Sequence, residues 1–241
     1  MAPHDLTRRE LLALAGSAAA AGLLGCGSAA AGSTTSSPTS PTPTAGSCVM
    51  TPQLTEGPYF VDERLNRSDI RVDPSTGVVS AGVPLTLNVR VSQIAGGACS
   101  ALAGAFVDIW HCDAGGVYSD EAAMNSTGKR FLRGYQVTDS AGAVQFTTIY
   151  PGWYQGRAVH IHFKVRNALT SSSSQQLTSQ WFFDDALTDV VHAQSPYSAK
   201  GRRDTRNQND GIYNQGGSSL VLALTPGGSG YSGAFDIALQ V

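Results

Sequence analysis

Apolar and polar residues alternate along much of the chain from about residue 82 onward, with the period of two that is typical of half-buried β-strands. The clearest case is Leu85, Leu87, Val89 and Val91, which are separated by polar residues. The same reasoning predicts further strands over residues 106–110, 134–137, 144–149, 159–165, 177–183, 220–224 and 235–241.

Short strands without alternating helices predict an all-β fold, a β-sandwich of about eight mainly antiparallel strands. The sequence Asp-Ser-Ala-Gly at 139–142 predicts a hairpin turn between two of these strands. Only residues 185–194 have a helical pattern. Two long irregular segments, 113–130 and 198–217, remain, and because loops of this length usually have a function we expect them to be active-site loops.

In the N-terminal region, the apolar residues form one continuous stretch instead of alternating with polar ones. Arg8 and Arg9 precede an Ala-rich apolar stretch over residues 11–25. This arrangement is typical of a twin-arginine (Tat) export signal, and a Sec signal that contains two arginines is the alternative. Cys26 follows Leu-Leu-Gly, as in the lipobox of a lipoprotein. We therefore expect residues 1–25 to be a Tat-type signal peptide of a lipoprotein.

Residues 26–47 are rich in Ser, Thr and Pro and contain no charged side chain. Such a segment is too polar to pack, so it predicts a disordered tether in front of a domain over 48–241. The domain would lie outside the cytoplasm, secreted or anchored to the outer face of the cell membrane. Its membrane contact would be only a lipid on Cys26.

Three further cysteines, Cys48, Cys99 and Cys112, would then be in an oxidising compartment. They allow one disulfide and one free thiol, and the sequence leaves all three pairings open.

The charge balance argues against some partners. The chain has 241 residues with 16 Lys and Arg against 18 Asp and Glu, a formal net charge of −2. A nucleic-acid-binding protein would normally have a basic face, so no nucleic-acid partner is expected. No run of 18 apolar residues occurs after the N-terminal region, so no membrane span is predicted there.

His160 and His162 are the first candidate metal ligands. Residues two apart in a strand lie on the same face, so both imidazoles can reach one metal ion. A His-x-His pair alone is a weak signal. A third histidine, His111 or His192, could complete a zinc site, although neither spacing requires it.

The segments around this pair make it more specific. Residues 151–158 (PGWYQGRA) place a phenol and a guanidinium just before the histidines, and residues 110–118 (WHCDAGGVY) end in a second phenol. Together with residues 55–59 (TEGPY), this pattern resembles the intradiol ring-cleavage dioxygenases, the family of catechol 1,2-dioxygenase and protocatechuate 3,4-dioxygenase. The resemblance extends to about residue 185.

The resemblance implies one non-haem Fe(III) per chain, held by Tyr118, Tyr154, His160 and His162. Ferric iron is a hard acid that prefers anionic oxygen ligands, so two phenolates suit it. The implied reaction is intradiol cleavage of a small catechol-type aromatic diol by O2 to a cis,cis-muconate-type product. In that reaction Tyr154 would leave the metal and act as a base.

Two more residues match catalytic positions of the family. Arg157 would stabilise negative charge that develops on the substrate, and Gln180 would orient a ligand or a reacting group. The alternatives are that Arg157 pairs with Asp113 or Asp108 at the surface, and that Gln180 is only an amide of an edge strand.

The substrate pocket implied by the resemblance includes Gly57, Pro58, Tyr59 and Trp153. The first three could equally form only a turn, and Trp153 could pack in the core.

Two departures from the family leave specificity and assembly open. The segment between Tyr154 and His160 is shorter than in protocatechuate dioxygenases, and residues 48–80 have no counterpart of the helical region through which catechol 1,2-dioxygenases dimerise. The alternatives from other classes are a non-catalytic binding module at the cell surface and a zinc hydrolase that uses His160, His162 and His111.

Overall fold

The computed structural model describes residues 48–167, 169 and 176–240, so the expected signal peptide and tether lie outside the described residues. The strands of the described part are β1 Pro84–Ala95, β2 Ala98–Ala101, β3 Phe106–Trp110, β4 Arg133–Val137, β5 Ala143–Ile149, β6 His160–Arg166, β7 Gln176–Phe182, β8 Leu224–Gly227 and β9 Gly230–Gln240. Its α-helix is α1, Asp185–His192, and its 3-10 helices are Ala122–Met124, Tyr197–Lys200, Asn207–Asn209, Tyr213–Gln215 and Gly217–Leu220.

Two sheets form the sandwich and confirm the predicted all-β class. One sheet has the antiparallel order β4-β3-β6-β7. In the other sheet the order is β2-β1-β9-β8. Strand β5 also belongs to this sheet, because it and β2 pair with different parts of the same edge of β1. The long pairing of β1 with β9 is parallel, which is the exception to the antiparallel arrangement. The predicted helix over 185–194 is confirmed as α1, whose N-terminus is capped by the Asp184 carboxylate.

Two local predictions are wrong. The turn over 139–142 exists, but the strands on either side of it, β4 and β5, lie in different sheets, so it connects the two layers instead of closing a hairpin. The strand predicted over 220–224 is mostly loop, since a 3-10 helix ends at Leu220 and β8 begins only at Leu224. Leu220 and Leu222 are buried because this loop packs on the sandwich.

Strand β2 is missed by the sequence analysis because its four residues, Ala98–Ala101, are all small and include no β-branched or aromatic side chain. Gly96 and Gly97, both with positive φ, make the tight turn that connects it to β1. A disulfide joins Cys48 to Cys99 of β2, and Cys112 is free and buried. This selects one of the three pairings that the sequence left open.

Every residue of β6 is buried, so both faces of this strand are covered. Ile161, Phe163 and Val165 point into the core between the sheets. The opposite face carries the two histidines, followed by Lys164 and Arg166. That face is covered by the preceding segment 55–62, which makes ion pairs through Glu56 to Lys164 and through Asp62 to Arg166. In the described part of the chain, no helix is long and apolar enough to cross a bilayer.

Candidate active site

Two phenols and two imidazoles meet beneath segment 55–62. The Nε2 atom of His160 lies 3.0 Å from Nε2 of His162, 3.2 Å from the Tyr154 hydroxyl and 3.4 Å from the Tyr118 hydroxyl. The histidines come from β6, Tyr154 from the loop before it, and Tyr118 from the long loop after β3. The structure thus brings together all four side chains that the sequence nominated as metal ligands.

Tyr118 is fixed by tight packing in its loop. Its side chain is fully buried and stacks on the ring of Tyr59 with centroids 4.5 Å apart. The turn before it requires glycine, since Gly116 has a φ of 82° and a Cβ there would lie 2.1 Å from the Trp153 carbonyl oxygen. Arg133 holds the other side of the loop by donating to the Ser119 hydroxyl at 2.8 Å.

The hydrogen bond of His160 leaves a lone pair at the meeting point, whereas the buried Nδ1 of His162 has no hydrogen-bond partner among the described residues. His160 Nδ1 lies 2.6 Å from the Ala158 carbonyl, so we assign its proton to Nδ1 and a bare lone pair to Nε2. His162 stacks on Trp110 with centroids 4.8 Å apart and nearly parallel rings. Gly57 gives His162 its space, because a Cβ at position 57 would lie 3.3 Å from His162 Cε1.

Burial controls the protonation of this cluster. It lowers the pKa of His160 to about 3 and that of His162 well below its usual value, so both imidazoles are neutral. It raises the pKa of Tyr154 to about 12, against the opposing effect of the Arg157 charge, and raises the pKa of Tyr118 well above 10. Ionising both phenols therefore requires a strong positive charge between them.

This donor set fits ferric iron. Neutral imidazoles supply nitrogen ligands, and two phenolates supply the anionic oxygens that a hard trivalent cation prefers. A divalent zinc ion would gain less from two phenolates, and the usual zinc sites combine His with Cys or carboxylate ligands.

Arg157 lies beside the cluster but has other partners than those the sequence suggested. Its Nη1 is 3.4 Å from the Tyr154 hydroxyl, its Nη2 donates to Gln180 Oε1 at 2.5 Å, and its Nε donates to Asp210 Oδ2 at 2.9 Å. Gln180 is fully buried on β7 and donates to the Thr55 carbonyl at 2.9 Å. Gln180 does lie on an edge strand, yet its side chain points into the network of Arg157.

The two suggested carboxylate partners of Arg157 are used elsewhere. Asp108 binds Arg166, and Asp113 accepts from the backbone N–H groups of Gly115 and Val117 at 2.9 Å each. The surface pairing considered for Arg157 is therefore wrong.

Of the four residues predicted to bind substrate, Gly57 and Tyr59 contact the cluster, whereas Pro58 and Trp153 do not. Tyr59 contacts the Tyr118 ring and lies edge-on to Tyr154 at 5.9 Å, and Gly57 contacts His162 as described. Pro58 is exposed in the turn between them. Trp153 instead donates to the Gly201 carbonyl at 3.2 Å, so its indole faces the loop after α1.

The remaining histidines do not join the cluster. His111 is fully buried, with Nδ1 2.8 Å from the Cys112 carbonyl and Nε2 2.7 Å from the Thr148 hydroxyl. His192 bonds to the Pro151 carbonyl at 3.0 Å. Within the described ranges, no group of three or more His, Cys, Asp or Glu side chains could hold a metal. A three-histidine zinc site using His111 is therefore not formed.

Two charged residues at the site were not predicted. Asp210 binds Arg157 across 53 sequence positions, and its only sequence signal was its place in the long segment 198–217. Arg133 is buried and donates to the Tyr59 carbonyl at 2.6 Å, which links segment 55–62 to the loop of Tyr118. No motif indicated Arg133.

The chain is similar to known dioxygenases in sequence and in structure. A family model described as "Dioxygenase" matches residues 55–210. Catechol 1,2-dioxygenase 1 of Acinetobacter lwoffii is 27% identical over 154 residues, 54% of this chain and 45% of that protein. Chlorocatechol 1,2-dioxygenase of Pseudomonas putida is 32% identical over 116 residues, 39% of this chain and 42% of that protein. The match thus spans less than half of these curated relatives.

Solved structures match over more of their length. An intradiol ring-cleavage dioxygenase from Tetranychus urticae is 30% identical, with a TM-score of 0.68 over 80% of this chain and 95% of that one. The dioxygenase domain of a dioxygenase carbohydrate-binding protein fusion from Streptomyces sp. SirexAA-E is also 30% identical, with a TM-score of 0.58 over 80% of this chain and 99% of that one.

Proposed function

We propose, since this chain belongs to the intradiol ring-cleavage dioxygenase family, that it uses O2 and one non-haem Fe(III) to cleave catechol-type aromatic diols. Cleavage between the two hydroxylated carbons would give cis,cis-muconate-type products. The observation that carries the proposal is the approach of two phenol oxygens and a second imidazole nitrogen to within 3.4 Å of His160 Nε2.

Tyr118, Tyr154, His160 and His162 would hold the iron. When bound, Fe(III) would supply Lewis acidity, which would make the diol ring reactive toward O2. Tyr154 is half-buried whereas Tyr118 is fully buried, so Tyr154 is the phenol with room to move away and accept a substrate proton. Its neighbour Arg157 would then stabilise the phenolate or the negative charge on the substrate.

Aromatic rings cover two sides of the cluster. Tyr59 covers Tyr118, and Trp110 covers His162, so water is excluded from two sides of the cluster. Exclusion of water strengthens the electrostatic effect of each fixed charge on the substrate.

The first test is the visible spectrum of the full-length protein after reconstitution with ferric iron. We expect a broad tyrosinate-to-iron charge-transfer band that shifts when catechol is added without O2. Addition of O2 should then give a muconate-type product with uptake of one O2 per diol. Resorcinol, whose hydroxyls are not adjacent, is the matched control and should cause neither change.

Two results would contradict the proposal. A colourless protein that takes up no iron would favour the non-catalytic binding module. A coloured protein that forms a ring-opened semialdehyde would instead indicate cleavage of the bond between a hydroxylated carbon and its non-hydroxylated neighbour.

For location, we propose that the protein acts outside the cytoplasm after Tat export, lipid-anchored at Cys26 or secreted. The Arg8-Arg9 pair, the lipobox around Cys26 and the Cys48–Cys99 disulfide support this, because disulfides persist in oxidising compartments.

We expect Arg8→Lys/Arg9→Lys to leave precursor in the cytosol, since the Tat pathway recognises the arginine pair. Cys26→Ser should abolish labelling by radioactive palmitate and release the protein from membranes. Cys112→Ser is the control for Cys26→Ser, because the Cys112 thiol is buried in the domain. Palmitate labelling that persists in Cys26→Ser would contradict the lipid site.

A further inference from the structure

The loop between α1 and β8 contributes one buried carboxylate to the active site. Asp210 is 1% exposed and follows the 3-10 helix Asn207–Asn209. Its Oδ2 accepts from Arg157 Nε at 2.9 Å and from the Ala158 N–H at 2.8 Å. Its Oδ1 accepts from the N–H groups of Ile212 and Tyr213 at 2.7 and 3.2 Å. Both carboxylate oxygens are therefore fully used.

Asp210 is ionised in this environment. Burial alone would raise its pKa, but the Ala158 N–H and the Arg157 charge outweigh burial and hold the pKa below the usual value. Arg157, whose side chain is 15% exposed, and Asp210 thus form a largely buried ion pair with no net charge. An ion pair taken out of water in this way often stabilises a fold no more than apolar residues of similar volume would, so the pair matters more for where it places the guanidinium.

We propose that Asp210 is a positioning residue, which fixes Arg157 so that its two terminal nitrogens face Tyr154 and Gln180. This inference rests on the function proposed above. A guanidinium is planar, so anchoring Nε determines where Nη1 and Nη2 point. Here Nη1 lies 3.4 Å from the Tyr154 hydroxyl and Nη2 lies 2.5 Å from Gln180 Oε1. Without the anchor, the side chain could rotate away from the reacting groups.

A second carboxylate of the same loop offers a matched control. Asp204 accepts from the Gly156 N–H at 3.2 Å and therefore touches the turn that carries Arg157. It is exposed and does not contact the guanidinium. Asp204→Asn consequently changes the charge of the loop and a contact with the turn, but not the anchor of Arg157.

The proposal predicts that Asp210→Asn lowers kcat by about 10–100-fold, the usual cost of losing a group that orients active-site residues. KM should change little, because Asp210 does not reach the substrate. Asp204→Asn should retain wild-type kcat. Asp210→Glu keeps the charge and should recover part of the activity. It also serves as the second variant if Asp210→Asn does not fold.

A double-mutant cycle separates positioning from a general structural effect. If Asp210 acts through Arg157, Asp210→Asn should cause no further loss of kcat in an Arg157→Gln background. A structural defect would instead multiply with the loss caused by Arg157→Gln.

The NMR signal of the Arg157 Nε–H group in metal-free, 15N-labelled full-length protein gives a readout independent of catalysis. We expect it to be protected from solvent exchange in the wild type and in Asp204→Asn, and to lose protection in Asp210→Asn. The proposal is overturned if the signal is unchanged in Asp210→Asn, or if kcat falls equally in Asp204→Asn. Should the wild type not cleave catechols, the proposed function fails, and the NMR comparison still decides whether Asp210 holds Arg157.

Discussion

Tyr118→Phe is expected to give a folded protein that binds little ferric iron and cleaves catechol at less than about one hundredth of the wild-type rate. This loss of activity is larger than the roughly 10–100-fold loss caused by removing a group that only orients a metal ligand. The change removes one of the two phenol oxygens, and the remaining donors would offer a trivalent ion a single negative charge. Because Tyr118 is fully buried, water has little access to replace the missing oxygen.

The fold should survive this change, because phenylalanine retains the ring that stacks on Tyr59. Tyr150→Phe is the matched control. Tyr150 is equally buried, and its hydroxyl bonds to the Thr188 hydroxyl at 2.7 Å, away from the cluster. We expect normal iron content and colour in that variant, with a loss of about 1 kcal/mol in unfolding free energy. Iron analysis and the charge-transfer band are the measurements, and a Tyr118→Phe protein with full iron content would remove Tyr118 from the ligand set.

The sequence predicts the strands well where apolar and polar residues alternate, even in β6, whose polar face is covered by segment 55–62. It predicts strands less well where apolar residues are buried in a loop and not in a sheet. Residues 220–224 look like a strand because Leu220 and Leu222 are apolar, yet they are buried as a loop on the sandwich. The turn at 139–142 was recognisable from its residues, but which sheets it connects depends on long-range pairing that no local pattern contains.

The candidate metal ligands differ in the same way: local sequence patterns predict the placement of some of them but not of others. The spacing of His160 and His162 places them on one face by strand geometry alone. The approach of Tyr118 and Tyr154 to that face depends on irregular loops, so it was accessible only through the family resemblance. Asp210 could not be found either way, because its contact with Arg157 joins residues 53 positions apart.

The outer face of β6 also explains why charged residues occur in a fully buried strand. Segment 55–62 covers that face, so Lys164 and Arg166 are buried with carboxylate partners that come from outside β6. Breaking one of these pairs should therefore affect the strand that also carries the two histidines.

Arg166→Met is accordingly expected to lower the unfolding free energy by about 3–5 kcal/mol at alkaline pH, where Asp108 stays ionised, the usual cost of removing one partner of a buried ion pair. Arg166 donates to both oxygens of Asp108, at 2.9 and 2.7 Å, and to Asp62 at 3.2 Å. Methionine fills much of the same volume. It leaves the Asp108 carboxylate, which is 7% exposed, without its counter-charge.

The loss should depend on pH. Burial raises the pKa of Asp108 to about 6 even though Arg166 opposes the shift, and Asp62 raises it while Lys164 lowers it. Removal of Arg166 raises this pKa further. A carboxyl with a raised folded-state pKa binds protons more tightly in the folded protein than in the unfolded chain, so protonation favours folding. The deficit of Arg166→Met should therefore be largest above the further raised pKa of Asp108 in the variant, and it should shrink as the pH falls from there toward about 6, the pKa of Asp108 in the wild type.

Urea unfolding of the variants at several pH values measures this deficit. Asp108→Asn/Arg166→Met should recover much of the stability and lose most of the pH dependence, because the buried charge is gone. Arg71→Met is the matched control: Arg71 also binds a carboxylate with two nitrogens, at 3.0 and 2.7 Å from Asp69, but the pair is partly exposed. Its loss should cost at most about 1 kcal/mol. An Arg166→Met deficit that is constant with pH, or that persists when Asp108 is also replaced, would show that the loss comes from packing and not from an unpaired charge.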